Sequence, residues 1–224
     1  IGNVEVMGAW PEQVELGAFK VGFMPVSHSI PEASGLVIDT PAGRVVHTGD
    51  FKLDPDPIVG EAYNPELYRE IAKGGVQALV CDSTNVFSKH AGQSESGLGP
   101  HITKLMKDAS GMVVATTFAS NVARLKTLAQ AGVDSGRSVV VLGRSMKKML
   151  GYAHFAGLID NFPPVVDVED ARDIPHENMM LLVTGSQGER RAASARPNAR
   201  PAETNVIITS NVATRCAISR SIAC

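Results

Sequence analysis

Residues 35–47 read Gly-Leu-Val-Ile-Asp-Thr-Pro-Ala-Gly-Arg-Val-Val-His, two apolar runs on either side of a Pro-Ala-Gly turn. Short runs rich in β-branched residues around a turn signal predict a β-hairpin. A hairpin returns the chain to its starting edge, so side chains before the first strand and after the second are expected at one rim of a sheet. His28 and Asp50 occupy these two places.

The side chains at the ends of this hairpin suit a metal ion. His28 lies in Ser-His-Ser-Ile-Pro-Glu and Asp50 in His-Thr-Gly-Asp-Phe-Lys. A neutral imidazole and a carboxylate are ligands for divalent cations such as zinc or manganese. Both residues also have ordinary structural interpretations, because a histidine beside a strand often only satisfies hydrogen bonds and Gly-Asp often forms a turn. His47 is interpreted as a strand residue or a hydrogen-bond donor near the ligands.

Composition limits the possible classes of protein. With 224 residues, 44% of them hydrophobic, the chain can form one large domain or two small ones, and complete disorder is excluded. The net charge of −2 means that nucleic-acid binding would require a local basic groove. No apolar run approaches the roughly 20 residues that span a bilayer, and no signal-peptide pattern is visible.

The cysteines indicate the redox environment. Cys81, Cys216 and Cys224 form no Cys-x-x-Cys pair, which argues against a cysteine-based structural zinc and against a disulfide scaffold. A reducing compartment is favoured, and we expect a cytoplasmic protein. Because the sequence starts at Ile1 within an apparent strand pattern, we expect a fragment or a trimmed chain.

The first part of the chain predicts short strands and one helix. Strands are expected at 4–6 and 19–26, and an amphipathic helix at 66–73 ends at Gly74-Gly75. Residues 76–81 predict a buried strand that ends at Asp82. Residues 87–100, rich in Ser and Gly, predict a linker, so we expect one domain over residues 1–90 and a second over 91–224.

The second part alternates helices and strands. The predicted elements are a helix at 102–109, a strand at 112–117, a helix at 121–132 with Ser120 as its N-cap, a strand at 138–142, a helix at 145–157, and strands at 179–184 and 206–210. Strands separated by helices of this length predict a parallel, three-layer α/β arrangement. Residues 189–203 carry four arginines and predict a solvated loop or a basic arm, and residues 211–224 show little pattern.

Three strand-to-loop junctions have the chemistry of anion sites. They read Thr-Thr-Phe-Ala-Ser-Asn at 116–121, Leu-Gly-Arg-Ser-Met at 142–146 and Thr-Gly-Ser-Gln-Gly-Glu at 184–189. Free backbone N–H groups at helix starts bind anions, and open α/β sheets bind ligands at the carboxyl ends of their strands. The candidate phosphate-binding residues are Ser120, Arg144, Ser145, Ser186 and Gln187. Taken singly, such a junction is usually only a turn or a cap.

Together, these sequence motifs resemble those of a known family. His-Ser-Ile-Pro-Glu-Ala-Ser and Val-His-Thr-Gly-Asp-Phe-Lys are similar to metal motifs of the metallo-β-lactamase superfamily. With Leu-Val-Cys-Asp-Ser-Thr-Asn at 79–85 and the three junctions, they follow the order seen in ribonuclease J, of the β-CASP branch, over residues 21–189. The resemblance implies part of a metallo-β-lactamase αββα fold plus a β-CASP domain, whose mainly parallel sheet is flanked by helices. The expected domains are the C-terminal part of the former at 1–90 and an incomplete β-CASP domain at 91–224.

The resemblance also implies an activity and site residues. Family members are metal-dependent ribonucleases with 5′-to-3′ exonuclease and endonuclease activity, and their RNA runs in a cleft between the two domains. His28 would ligate one metal, Asp50 would bridge two, and Asp82 would be the catalytic carboxylate beside them. The alternative for Asp82 is an Asx-turn with Ser83 and Thr84. The implied cofactors are two divalent metals, zinc first and manganese or magnesium as alternatives. The implied partner is RNA, especially 5′-monophosphorylated RNA, with no membrane.

The chain departs from the family pattern in ways that weaken the expected metal site. The motif His-x-His-x-Asp-His is absent, and we expect it upstream of Ile1. Two later histidine motifs are expected downstream, and 212–216 reads Val-Ala-Thr-Arg-Cys where relatives have Pro-Gly-Asn. We therefore expect weak metal binding, an inactive fragment and association into homo-oligomers through exposed apolar sheet surface. The alternatives are a degenerate RNA- or partner-binding module and another hydrolase of this fold acting on a small ester or thioester.

Overall fold

The computed structural model describes residues 6–89 and 92–184, together with the backbone of two further strands at 204–208 and 217–220. The chain divides into two compact units, Ile1–Gly92 and Gln93–Cys224.

The first unit is built on a five-stranded sheet. Its elements are β1 (Gln13–Leu16), β2 (Phe19–Pro25), β3 (Ser34–Thr40), β4 (Gly43–His47), helix α1 (Pro65–Ala72) and β5 (Ala78–Val80). The strands lie in the order β1-β2-β3-β4-β5, antiparallel except for β5, which runs parallel to β4. The predicted hairpin is confirmed: Thr40 pairs with Gly43, whose φ of 127° suits the turn.

The core of this unit lies between the sheet and α1. It contains Met24, Val26, Val37, Val46 and Ile71. The predicted helix is confirmed: Asn64 caps it by accepting hydrogen bonds from Glu66 N and Leu67 N, at 3.1 and 3.2 Å. Ile71 is its buried residue, so α1 contributes one apolar stripe to the core.

The strand predicted at 76–81 exists, but the prediction that it is buried is wrong. Leu79 is 62% exposed and Val80 50% exposed. The strand β5 pairs with β4, and no other described strand pairs with its far edge. Apolar sequence predicted burial, whereas burial depends on which element covers an edge strand.

The described part of the second unit contains a five-stranded sheet with three α-helices. Its elements are α2 (Gly99–Lys107), β6 (Met112–Thr116), α3 (Val122–Asp134), β7 (Ser138–Leu142), α4 (Arg144–Phe155), β8 (Met179–Val183), β9 (Thr204–Ile208) and β10 (Ala217–Arg220). The order is β10-β9-β6-β8-β7, and all neighbours are parallel except β10 and β9. The predicted fold class, α/β with a mainly parallel sheet and helices, is confirmed.

Alternate residues of the central strands enter two different cores. Val113, Ala115, Val139, Val141, Met180 and Leu182 join residues of α2, α3 and α4. Met112, Val140, Met179, Leu181 and Val183 face the other side, where Val166, Ala171 and Ile174 cover them. Within 6–184, this second face is covered by an irregular segment with the short 3-10 helices Asp170–Asp173 and His176–Asn178. The period of two along each strand places side chains in these two layers.

Three further predictions required correction. The linker 87–100 contains the 3-10 helix Glu95–Gly97, and Leu98 is 1% exposed, so its second half belongs to the core of the second unit. The N-cap of α3 is Asn121, not Ser120, because Asn121 Oδ1 accepts from Arg124 N at 3.0 Å. The strand β10 lies within 211–224, where no element was predicted. No described helix combines the length and the apolar character needed to cross a membrane.

Candidate functional site

Three strands of the first unit end at the same rim of its sheet. Pro25 of β2 pairs with Ser34, at the start of β3, and Leu36 of β3 pairs with His47 of β4. His47 in turn pairs with Val80 of the parallel strand β5. The chain therefore leaves β2, β4 and β5 at one edge. His28, Asp50 and Asp82 follow these three strand ends, so the sheet topology gathers the three sequence-predicted residues.

Hydrogen bonds join the loops at this rim. Lys52 N donates to Ser27 O at 2.7 Å, which links the loop of Asp50 to that of His28. Thr48 N donates to Val80 O at 2.9 Å, and Thr48 Oγ1 accepts from Asp82 N at 3.0 Å. These bonds fix the backbone beside each of the three candidate residues.

His28 has an unusual environment. Its side-chain Nδ1 is buried and has no hydrogen-bond partner within the described parts of the chain. A buried polar nitrogen without a partner is costly, so such atoms usually mark a bound ion, water or ligand. The pKa of the Asp82 carboxyl is lowered mainly by hydrogen bonds from Thr84, and His28 adds a smaller electrostatic effect in the same direction. The structure thus brings these two side chains within electrostatic reach of each other.

Asp50 follows a turn that requires glycine. Gly49 has a φ of +60°, and a Cβ there would lie 3.2 Å from Ser34 O. Only glycine adopts this left-handed conformation without a steric penalty. The turn presents Asp50 at the surface, where its carboxylate is exposed.

Asp82 forms the Asx-turn that was the structural alternative for this residue, and the turn leaves part of its carboxylate available. Oδ1 accepts from Thr84 Oγ1 at 2.6 Å and from Thr84 N at 2.8 Å. These bonds, together with the nearby His28, hold the pKa of the Asp82 carboxyl below its usual value, so the group is ionised at neutral pH. No hydrogen bond to Oδ2 occurs among the described residues. The structural and functional interpretations are therefore compatible.

Two positioning residues were not found from the sequence. Thr48 is 5% exposed and links the Asp50 loop to Asp82. Asp54 is 3% exposed, and its carboxylate accepts from Lys52 Nζ and Asp56 N, both at 3.0 Å. Asp54 thereby anchors the segment that follows Asp50. The available signal was the alternation Asp-Phe-Lys-Leu-Asp at 50–54, in which a lysine stands between two carboxylates.

The rim has metal-binding donors but too few for a complete site. Imidazole and carboxylate donors match zinc, manganese or magnesium, and the orphan Nδ1 of His28 fits a missing ligand. However, the described residues contain no group of three or more His, Cys, Asp or Glu side chains arranged to hold a metal. Zinc normally has at least three protein ligands, so these donors do not fit a stable metal centre by themselves.

His47 confirms one of its two predicted roles, that of a strand residue. It ends β4 and is exposed, and its Nδ1 accepts a hydrogen bond from Gly49 N at 3.0 Å. It is therefore an acceptor that stabilises the Gly49 turn, not a donor. His101, His154 and His176, in the second unit, are exposed.

In the second unit, the carboxyl ends of three neighbouring parallel strands line up. Thr116 of β6 and Leu142 of β7 both pair with Val183 of β8. The first two predicted junctions and Thr184, the first residue of the third, therefore lie at one edge of the sheet; the rest of the third junction is outside the described residues. Thr117, directly after β6, is fully buried, and its hydroxyl has no hydrogen-bond partner among the described residues.

The candidate phosphate-binding residues are distributed along this edge. Ser120 is half-buried before α3, whereas Arg144 and Ser145 are exposed in the first turn of α4. Gly143, at φ +118°, lets the chain turn directly from β7 into α4. Ser186 and Gln187 lie outside the described residues.

Comparison with protein families gives a match within the second unit. Residues 110–213 match the family described as Ribonuclease J, beta-CASP domain. This range begins just before β6 and includes the three strand junctions, so it agrees with the resemblance drawn from the motifs.

Known relatives extend the match into the first unit. Ribonuclease J of Sinorhizobium meliloti is 41% identical over 185 residues, which are 83% of this chain and 33% of that protein. Ribonuclease J of Mycoplasma pneumoniae is 37% identical over 176 residues, 78% of this chain and 31% of that protein. The chain thus spans about a third of the length of these curated relatives.

A solved structure shares the fold. A protein of unknown function from Enterococcus faecalis V583 aligns with a TM-score of 0.51 and 20% identity, over 76% of this chain and 43% of that one. At this identity the likeness concerns the fold alone.

Proposed function

Because the chain belongs to the ribonuclease J family, we propose that the protein is a metal-dependent ribonuclease that hydrolyses RNA phosphodiester bonds. The observation that supports the proposal is that His28, Asp50 and Asp82 lie in the loops that follow β2, β4 and β5, whose carboxyl ends share one rim of the sheet. In agreement with the family's domain plan, we assign residues 1–90 to the metallo-β-lactamase domain and 91–224 to the β-CASP domain.

The rim residues have distinct roles in this proposal. His28 and Asp50 are metal ligands, and Asp50 and Asp82 are the catalytic carboxylates. The bound divalent ions, zinc or alternatively manganese or magnesium, would supply Lewis-acid activation of water. The ionised Asp82 accepts a hydrogen bond through Oδ2 and so orients a water molecule, while Thr84 holds Oδ1. Thr48 and Asp54 fix the positions of the loops that carry Asp50 and Asp82 through their hydrogen bonds.

The second unit supplies phosphate binding in the proposal. The helix starts of α3 and α4 follow β6 and β7, where free N–H groups and the helix dipole favour an anion. Arg144 adds a guanidinium, and the hydroxyls of Ser120 and Ser145 add donors. Ser186 and Gln187 complete the set from sequence. Such donors contact phosphate and do not read bases, which fits a 5′-monophosphate end.

The 224 residues alone are proposed to be inactive or weakly active, because their described donors are too few for a metal site. We also propose homo-oligomers, since Val76, Leu79 and Val80 leave apolar surface exposed on and beside β5. Light scattering at micromolar concentration tests this, and a clean monomer would count against it. A cytoplasmic location agrees with the exposed, free Cys81.

The second candidate function is RNA binding without cleavage. The incomplete donor set favours it, because phosphate binding by the second unit needs no metal. The third candidate, an enzyme of this fold that hydrolyses a small ester, is disfavoured. Such a reaction would not use the anion-binding edge of β6, β8 and β7.

The test starts from the gene. The gene is sequenced on both sides of the region that encodes these 224 residues. The complete encoded protein is then assayed for degradation of 5′-monophosphorylated RNA, with and without a chelator. We expect chelator-sensitive degradation that Asp50→Ala abolishes. Asp160→Ala removes an exposed aspartate of the second unit and should leave the rate unchanged.

Each other outcome separates the candidates. RNA binding without degradation at any metal concentration supports the binding module. Degradation that survives both the chelator and Asp50→Ala contradicts the proposed mechanism.

A further inference from the structure

One face of helix α4 is exposed along its whole length and carries two kinds of side chain. Arg144, Lys148, Tyr152 and Phe155 follow one another at steps of four, four and three residues. That spacing places them in one row on an α-helix, about 16 Å long from the first to the last Cα. We call this row the α4 stripe.

The α4 stripe points away from the core. Met146 and Ala153, on the opposite side of the helix, are at most 1% exposed and anchor α4. In contrast, Phe155 is 92% exposed and Tyr152 is 66% exposed, and both basic residues are exposed as well. Among the described residues, no side-chain hydrogen bond or ion pair engages any member of the stripe.

The charge of α4 is uniformly positive. The helix contains Arg144, Lys147 and Lys148 and no acidic residue. Lys147 lies beside the stripe and pairs with Asp167, Nζ to Oδ1 at 3.7 Å, whereas Lys148 has no such partner within residues 6–89 and 92–184. In a chain with a net charge of −2, this local positive excess favours a polyanion as the ligand.

The aromatic residues specify which polyanion fits. Two exposed rings cost solvation free energy unless a partner covers them, and bases of single-stranded nucleic acid stack on such rings while Lys and Arg bind the backbone. Paired bases in a duplex do not offer their faces. We propose that the α4 stripe binds a single-stranded segment of RNA, with bases on Tyr152 and Phe155 and phosphates near Lys148 and Arg144.

This inference rests on the proposed RNA-directed function and adds a binding track to it. The stripe begins at Arg144, in the first turn after β7, and extends along the helix away from the phosphate-binding edge. The residues at the starts of α3 and α4 would hold one phosphate at that edge, whereas the stripe would hold the neighbouring nucleotides.

Binding of a fluorescein-labelled 12-nucleotide single-stranded RNA to the whole chain, in EDTA, tests the inference without any cleavage. We expect Phe155→Ala and Tyr152→Ala each to weaken affinity at least fivefold, because stacking contributes about 1–3 kcal/mol per base. Val133→Ala, which trims exposed apolar surface on α3, is the matched control and should have no effect. Lys148→Gln should lower the salt dependence by about one phosphate contact, unlike Lys104→Gln on α2.

Phe155→Trp provides a direct readout. It should keep wild-type affinity, and the added indole fluorescence should be quenched by the single strand but not by a blunt RNA duplex. RNA binding that is unaffected by both alanine variants overturns the stripe and leaves the ribonuclease proposal intact. Absence of any RNA binding overturns the stripe and the proposed phosphate binding by the second unit, whereas the ribonuclease proposal is tested separately by the cleavage assay of the complete encoded protein. If the alanine variants instead convert an oligomer to a monomer at unchanged RNA affinity, the stripe is a contact between copies and the inference is wrong.

Discussion

The hydroxyl of Thr48 accepts a hydrogen bond from Asp82 N, at 3.0 Å, and donates one to Gly49 O, at 2.8 Å. One buried side chain therefore ties the turn before Asp50 to the backbone of Asp82, although 34 residues separate Thr48 from Asp82 in sequence. The relative placement of the two carboxylates depends on this hydroxyl.

Thr48→Val keeps the shape of the side chain but removes the hydroxyl. We expect a loss of about 1–3 kcal/mol in the free energy of unfolding, because Asp82 N and Gly49 O lose a partner. Urea denaturation followed by fluorescence of Trp10, the single tryptophan, measures it. Thr48→Ser retains the hydroxyl and should recover most of the loss. Equal stability of the valine variant, with unchanged hydrogen exchange at Asp82 N, would contradict this role.

A buried ion pair fixes the start of the second unit. Arg124 Nε and Nη2 donate to the two carboxylate oxygens of Glu95, at 2.5 and 2.8 Å, and the side chains are 6% and 9% exposed. Glu95→Gln leaves the buried guanidinium without a counter-charge, so we expect a loss of about 3–5 kcal/mol. The double variant Glu95→Leu/Arg124→Met buries no charge and should lose less.

Far-UV circular dichroism during urea unfolding gives both values. Lys20 and Glu15 form an exposed pair whose loss, in Glu15→Gln, should cost under about 1 kcal/mol. A double variant that is less stable than Glu95→Gln would show that the pair contributes net stability.

How far the sequence predicts the fold depends on the range of the contacts. The hairpin of β3 and β4 was predictable because its turn and both strands lie within 14 residues, 34–47. The exposure of β5 was not, since it depends on which element pairs with an edge, and apolar residues occur both in cores and at edges. Leu98 and Glu95 were assigned to a linker because Ser and Gly surround them, yet tertiary packing buries both.

The site shows the same division. The sequence predicts His28, Asp50 and Asp82 as site residues because each follows an apolar strand and belongs to a recognisable sequence motif. It does not predict Thr48 and Asp54, because their importance lies in hydrogen bonds to distant backbone that no local pattern encodes. The sequence predicts Ser120 as the N-cap, whereas the structure has Asn121. Both residue types cap helices well, so the sequence does not determine the start of the helix to within one residue.

The two asparagine N-caps allow a matched comparison. Asn121 is 1% exposed and caps α3, whereas Asn64 is exposed and caps α1. We expect Asn64→Ala to lower the free energy of unfolding by about 1 kcal/mol and Asn121→Ala to lower it by about 2 kcal/mol. Water can replace the hydrogen bonds of the exposed Asn64 cap but not that of the buried Asn121 cap. Denaturant midpoints at constant m-value compare them. Equal losses would indicate that burial of the cap has no energetic effect.

The Asp39–Arg44 pair predicts a pH dependence. Arg44 Nε and Nη2 donate to Asp39 Oδ1 and Oδ2, at 2.6 and 3.0 Å, and these bonds lower the pKa of the Asp39 carboxyl. A carboxyl whose pKa is lowered in the folded state stabilises the protein at pH values above the ordinary pKa of the group, near about 3.9. This contribution to stability is lost as the pH falls through the folded-state pKa. The stability gap between wild type and Asp39→Asn should therefore be constant above about pH 5 and shrink below about pH 4. A gap that widens on acidification would reverse the sign and refute the assignment.

Metal binding by the 224 residues provides the last prediction. His28 and Asp50 provide two donors, and zinc needs at least three protein ligands for stable binding. After dialysis against micromolar zinc, elemental analysis should give clearly less than one zinc per chain, and the residual amount should fall further in His28→Ala. His154→Ala removes an exposed histidine of α4 and serves as the matched control, with no change expected. Two zinc ions per chain, lost together in His28→Ala, would show that these residues hold a complete centre.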